Sequence, residues 1–311
     1  MTLFDAYVMV DWSANSKEKQ GADSIWIGRG RWVSGRFEAE PSTNPRTRSQ
    51  ASAEVHAVLQ GLKDEGARVL VGFDFPYGYP RGFAGALTGI PDCGRSKPAW
   101  KRTWNRLREC VTDDATNANN RFEVAAALNA AIPPGAGPFW GCPPRAAGAF
   151  LKSKRGLFPF PVRGGVALES YRHTEKVLRS RGRQVQEVWK LFYPGCVGSQ
   201  ALLGIPRVAA LRDDPSLAPV STVWPFETGF TTSLGAGRRP FILHAEIWPG
   251  VVAIETRPGL VKDAAQVAAL VKLFGQLDET GELGRLFGSP EGLDAQALAD
   301  CTEEEGWILG A

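Results

Sequence analysis

The chain has 311 residues, of which 43% are hydrophobic and 22% charged, with a formal charge of +3. This is an ordinary globular composition, long enough for one large domain or for a domain with a sizeable insertion. Asp5 interrupts the first apolar residues and no apolar run reaches about eighteen residues, so neither export nor a membrane partner is expected.

The five cysteines are scattered and never spaced as Cys-x-x-Cys, which argues against a disulfide framework or a zinc knuckle and for a reducing cytoplasm. The three histidines, His56, His173 and His244, do not form a His-Glu-x-x-His pair. Metal chemistry therefore has to rest on oxygen ligands. The small net charge hides an asymmetry: residues 145–190 are rich in Lys and Arg, and the C-terminal stretch carries Glu303, Glu304 and Glu305 in succession.

The run Tyr7 to Asp11 is apolar and β-branched and stops at an acid, and SIWIGRGRW and GRFEAEP read as two further strands joined by glycine-containing turns. Val55, Val58, Leu59 and Leu62 then recur at helical spacing until Gly66. RVLVGFDFPYGYP follows as a nearly continuous buried strand, ended by Asp74 and a Pro/Gly turn.

Residues 81–190 differ in texture, with short helical patterns such as KPAWKRTWNRLREC and RFEVAAALNAAI set between loops rich in Pro and Gly. A helical YRHTEKVLRSRG, a strand-like VQEVWKLFYPG and a helical VGSQALLGIPRVAALRDD come next. STVWPFETGF and FILHAEIWPG are strand candidates, the second carrying Glu246. VKDAAQVAALVKLFGQLDETG is a long amphipathic helix with Asp263 in its first turn, followed by helical turns into EEEGWILGA.

This order predicts an α/β fold of ribonuclease-H-like type: a mixed five-stranded sheet flanked by helices, with a helical and irregular insertion after the fourth strand. Residues 1–80 and 191–311 are expected to form the core and 81–190 an insertion or cap. In that topology the first and fourth strands are neighbours, which brings Asp11 and Asp74 face to face, with Glu246 and Asp263 closing the group. Converging carboxylates repel one another unless a divalent cation neutralises them, and hard oxygen ligands suit Mg²⁺ or Mn²⁺. Each acid also has an ordinary role open to it: Asp263 favours the helix dipole, and Asp74 precedes a turn.

VDWSANS, GFDFPYGYP, VGSQALLGIP with VWPFET, AEIWPG, KDAAQVAAL and EEGWILG together resemble an uncharacterised family of predicted ribonuclease-H-like nucleases. The resemblance runs from residue 7 to the end and is weakest over 81–190. It implies site acids at Asp11, at Asp74 of an Asp-x-Pro motif, at Glu246 of a Glu-x-x-Pro motif that includes Pro249, and at Asp263.

The expected activity is metal-dependent phosphoester or phosphodiester hydrolysis, with nucleic acid or a phosphate-containing small molecule as partner; the sequence leaves protein partners open. Ser13, Ser199 and Gln200 are candidate substrate contacts. Lys152, Lys154 and Arg155, together with the basic side of KPAWKRTWNRLR, form a candidate phosphate-tracking rim. Two other readings stay open: a non-catalytic metabolite- or partner-binding protein on the same fold, and an actin-like ATP-binding phosphotransferase. The latter lacks the glycine beside either acid that would let backbone amides approach phosphate. Glu227 is open to a site or a strand-end role, and neither Cys142 nor Cys196 has the companions of a nucleophile.

Overall fold

The computed structural model describes residues 2–87, 97–254 and 259–311. Its centre is a six-stranded mixed sheet in the order β3-β2-β1-β4-β6-β5, built from β1 (Ala6–Asp11), β2 (Trp26–Val33), β3 (Arg36–Ala39), β4 (Arg68–Phe73), β5 (Ser221–Val223) and β6 (Phe241–Glu246). The first three strands form an antiparallel meander, β4 runs parallel to β1, β6 parallel to β4, and β5 parallel to β6.

Helices flank the sheet: α1 (Arg48–Asp64), α2 (Phe83–Ala86), α3 (Ala99–Cys110), α4 (Arg121–Ala130), α5 (His173–Ser180), α6 (Gly198–Arg212), α7 (Lys262–Glu279) and α8 (Ala295–Asp300). None among the described residues is long and apolar enough to cross a membrane.

The sheet has six strands where five were expected. Of the strand candidate STVWPFETGF only Ser221–Val223 is extended, as the edge strand β5, and it stops where Pro225 arrives without an N–H to extend the ladder. VQEVWKLFYPG does not join the sheet. Its buried positions Val185, Glu187, Val188 and Trp189 break the alternation a half-buried strand needs, and Lys190 makes a single bridge to Trp140 instead.

Strand alternation sorts the core into two layers. Val8, Val10, Val69, Val71, Phe73 and Ile242 face one side, where Val55 and Leu59 of α1, Trp104 of α3, Leu128 of α4 and Leu202 of α6 pack against them. Rings from the 81–190 stretch, among them Phe83, Phe139 and Trp189, belong to the same cluster. Tyr7, Met9, Leu70, Leu243 and Ala245 face the other side, against Val267, Leu270, Val271 and Phe274 of α7 and Trp307 and Leu309 near the C-terminus.

The spacing of the α7 residues, i, i+3, i+4 and i+7, makes one apolar stripe. That helix lies unusually close to the sheet because Gly28 and Gly30 of β2 have no side chain: a Cβ at Gly28 would come within 2.9 Å of the Val267 backbone, and one at Gly30 within 2.6 Å of Val271. The close approach fixes the first turn of α7, and with it Asp263, over the end of β1.

Candidate acidic site at the strand ends

Asp11 ends β1, and Asp74 follows directly on β4. The parallel register places Val10 beside Phe73, and the Asp74 N–H donates to the Val10 carbonyl at 3.1 Å, so the two acids stand next to each other. Both are half-buried. Alternation from Val10 and Phe73 points them toward the α7 side of the sheet, and there Asp263 joins them from the first turn of that helix.

The Trp12 N–H donates to Asp74 Oδ1 at 2.6 Å, and the Asp23 N–H to Asp263 Oδ2 at 2.6 Å. Gln200, at the start of α6, donates its amide to the Trp12 carbonyl and so holds the peptide that orients Asp74.

The electrostatics are those of crowded acids. Burial pushes the Asp11 carboxyl well up, and the neighbouring Asp74 and Asp263 push it further; Lys262 opposes them only partly. Asp74 is raised to about 7, chiefly by burial, against the stabilising Trp12 N–H and a hydrogen bond from Asp11. The pair therefore shares a proton, as close carboxylates do. Among the described residues no Lys, Arg or His forms an ion pair with Asp11, Asp74 or Asp263. Nor, among those residues, is any group of three or more His, Cys, Asp or Glu side chains arranged as a ready metal-ligand set.

Glu246 does not share this environment. It pairs in register with Phe73, so alternation turns it to the opposite face from Asp74. There its two oxygens accept from the buried Arg172 guanidinium at 2.6 and 2.8 Å, and from the Tyr77 N–H at 2.9 Å. Arg172 also grips Glu175 and the Glu305 carbonyl.

The acidic tail belongs to the same network. Glu304 accepts from the Gly82 and Ala84 N–H groups, and Glu305 from the Arg81 and His173 N–H groups, so these glutamates dock the end of the chain rather than project into solvent. Gly78 makes the docking close, since a Cβ there would meet the Glu304 carbonyl at 2.2 Å.

The candidate substrate contacts are dispersed. Ser13 accepts from the Asn15 side chain within its own loop. Ser199 is buried, donating to the Leu191 carbonyl at 2.6 Å and accepting from Arg121 at 3.0 Å. Arg155 is tied to Glu187 at 2.9 Å and to Ser170, Lys152 reaches the Gly148 carbonyl, and Lys154 is exposed.

On α3, Lys101 and Arg108 both clamp Asp213 and Arg106 lies 3.7 Å from Glu109, which offsets part of that helix's basic side. Glu227 is held by Arg212 and caps the Val223 N–H. Burial raises the Cys142 and Cys196 thiols, opposite to what a nucleophile needs; Cys93 lies outside the described residues. Sequence reading missed Arg172, whose only signal was a basic residue at a helix start, and Arg121, which showed none.

Comparison with known protein families, with curated proteins and with solved structures yields no match for this chain.

Proposed function

We propose that the chain is a divalent-metal-dependent phosphoesterase of ribonuclease-H-like fold, acting on nucleic acid or a related phosphate ester at Asp11, Asp74 and Asp263. The observation that carries this reading is the meeting, at the ends of two adjacent parallel strands and the start of α7, of three acids that have no cationic partner among the described residues. A protein that leaves carboxylates so placed bears a repulsion that a hard cation relieves. The antiparallel meander, the parallel β1–β4 pair and the next parallel strand support the fold reading.

The donor set is all carboxylate oxygen, which suits Mg²⁺ or Mn²⁺; Asp11 and Asp74 would hold the ion and Asp263 would complete its shell. Such an ion, when bound, lowers the pKa of a water and stabilises the leaving oxygen of a phosphoester. The chain's own contribution is orientation. The Trp12 N–H fixes one Asp74 oxygen, Gln200 steadies the Trp12 peptide, and the glycine-permitted contact of α7 with β2 sets the position of Asp263. Glu246 serves on the other face of the sheet, as the anionic partner of Arg172 that joins the 170s segment and the C-terminus to β6.

The test is cleavage of labelled single-stranded, duplex and branched nucleic acids, and of a chromogenic phosphodiester, with Mn²⁺ or Mg²⁺, by the wild type and by Asp74→Asn. Metal-dependent turnover that falls at least about 100-fold in the variant, as removal of a ligand that stabilises transition-state charge does, supports the reading. Turnover unchanged in Asp74→Asn would overturn it.

A further inference from the structure

Arg121 opens α4 and is only 9% exposed. A buried guanidinium is ordinarily matched by a carboxylate. Arg121 has instead three neutral partners: Nε donates to Ser199 Oγ at 3.0 Å, and Nη1 to Ser16 Oγ at 2.8 Å and Asn119 Oδ1 at 2.7 Å. Nη2 donates to no atom among the described residues. Burial, with the Arg48 charge behind it, lowers Arg121 to about 10, only partly offset by the more distant Glu123 and Asp113, which leaves it cationic at neutral pH.

Beside this charge lies an open aromatic surface. The guanidinium sits 4.4 Å over the Phe122 ring, Phe122 meets Phe192 edge-on at 6.3 Å, and Phe192 meets Tyr193 at 5.1 Å. Phe192 and Tyr193 are 37% and 46% exposed. Tyr193 has φ +78°, a conformation that bulky residues seldom adopt, and it turns the chain at the surface. Lys190 anchors its ammonium to the Pro194 carbonyl at 3.0 Å, next to these rings, without a carboxylate partner among the described residues.

Hydrogen bonds from residues beside this surface reach the loop that follows Asp11. Ser199 ties Arg121 to the Leu191 carbonyl, its neighbour Gln200 holds the Trp12 carbonyl beside Asp11, and Ser16 lies on the same loop.

We propose that Arg121 and the rings of Phe122, Phe192 and Tyr193 form a subsite for single-stranded nucleic acid, in which the guanidinium takes a backbone phosphate and the exposed rings stack on an adjoining base. Arg presents a planar fork suited to phosphate, and aromatic faces accept any unpaired base, whereas a duplex keeps its bases stacked inside. The inference rests on the phosphoesterase reading only for the class of ligand, a phosphate-bearing strand. Its substance is a binding event that needs no metal.

The test is fluorescence anisotropy of a 5′-fluorescein oligothymidylate of about 12 nucleotides, in EDTA and at low salt. It compares the wild type, Phe192→Ala/Tyr193→Ala and Arg121→Gln, with a duplex of equal length as competitor. The aromatic variant, altered only at exposed rings, is expected to bind roughly tenfold more weakly with an unchanged salt slope. Arg121→Gln is expected to weaken binding and to reduce the slope by about 0.7, one single-strand phosphate contact. Wild-type affinity in the aromatic variant, equal competition by duplex, or no binding by the wild type overturns the proposal. Because EDTA removes any metal chemistry, binding without later Mn²⁺-dependent cleavage would count against the phosphoesterase reading alone, and cleavage without this binding against the subsite alone.

Discussion

Two groups of carboxylates lie on opposite faces of the same sheet end and meet opposite fates. Around Arg172, Glu175 and Glu246 are buried, paired and hydrogen-bonded, with Glu305 supplying a carbonyl to the same guanidinium. Around Asp11, the neighbours are other acids, with only Lys262 opposing them at a distance. The difference separates an ion network whose charges are matched within the protein from a cluster of acids with no ion-pair partner among the described residues. Strand alternation makes the separation: Phe73 and Glu246 share one face, and Asp11 and Asp74 take the other.

The largest effect should come from the compensated side. Arg172→Met leaves Glu246 and Glu175 buried without their cation, and breaking a buried pair in this way costs about 3–5 kcal/mol. Urea unfolding at neutral pH should show a loss of that order, while a loss under about 1 kcal/mol would mean that the network is not the staple described.

Asp74→Asn should act in the other direction. The folded-state pKa of Asp74 is raised to about 7 from 3.8, so the native state binds protons more tightly than the unfolded chain. Its contribution is therefore present below the unfolded value and is lost as pH rises through about 7. In chelator at pH 8 the variant should be more stable than the wild type by about 2 kcal/mol. That is roughly half of the full shift at about 1.4 kcal/mol per unit, because the pair shares its proton. The advantage should vanish near pH 4; a variant less stable at both pH values would contradict the account.

Gly28→Val sharpens the comparison at a smaller scale. Its side chain would meet the Val267 backbone, and such overpacking costs about 1–3 kcal/mol. By displacing the first turn of α7 it should also weaken Mn²⁺ binding several-fold, although no acid has been changed. Unaltered Mn²⁺ affinity in a folded variant would detach Asp263 from the site.

Much of this architecture was legible in the sequence. The apolar run ending at Asp11, the buried strand ending at Asp74 and the stripe of Val267, Leu270, Val271 and Phe274 each signal their element by period alone. That Asp11 and Asp74 stand side by side follows from strand order, whereas the place of Asp263 depends on how α7 packs against β2. The place of Glu246 does not follow from strand order either, because it depends on one residue of register, and its partner Arg172 lies 74 positions away in sequence. The strand-like reading of VQEVWKLFYPG failed for the converse reason: local propensity was present, but tertiary packing buried consecutive residues and left a single bridge. Ser199 and Gln200 drew notice as candidate substrate contacts. Their hydrogen bonds instead link Arg121 and Trp12, a long-range role that no local pattern encodes.

The most direct test of the central claim is calorimetric titration of Mn²⁺ into the wild type and into Asp11→Asn/Asp74→Asn at pH 8. The account predicts saturable binding by the wild type, with release of the proton that the pair shares, and none by the variant. Equal binding by the two proteins, or none by the wild type, would contradict it.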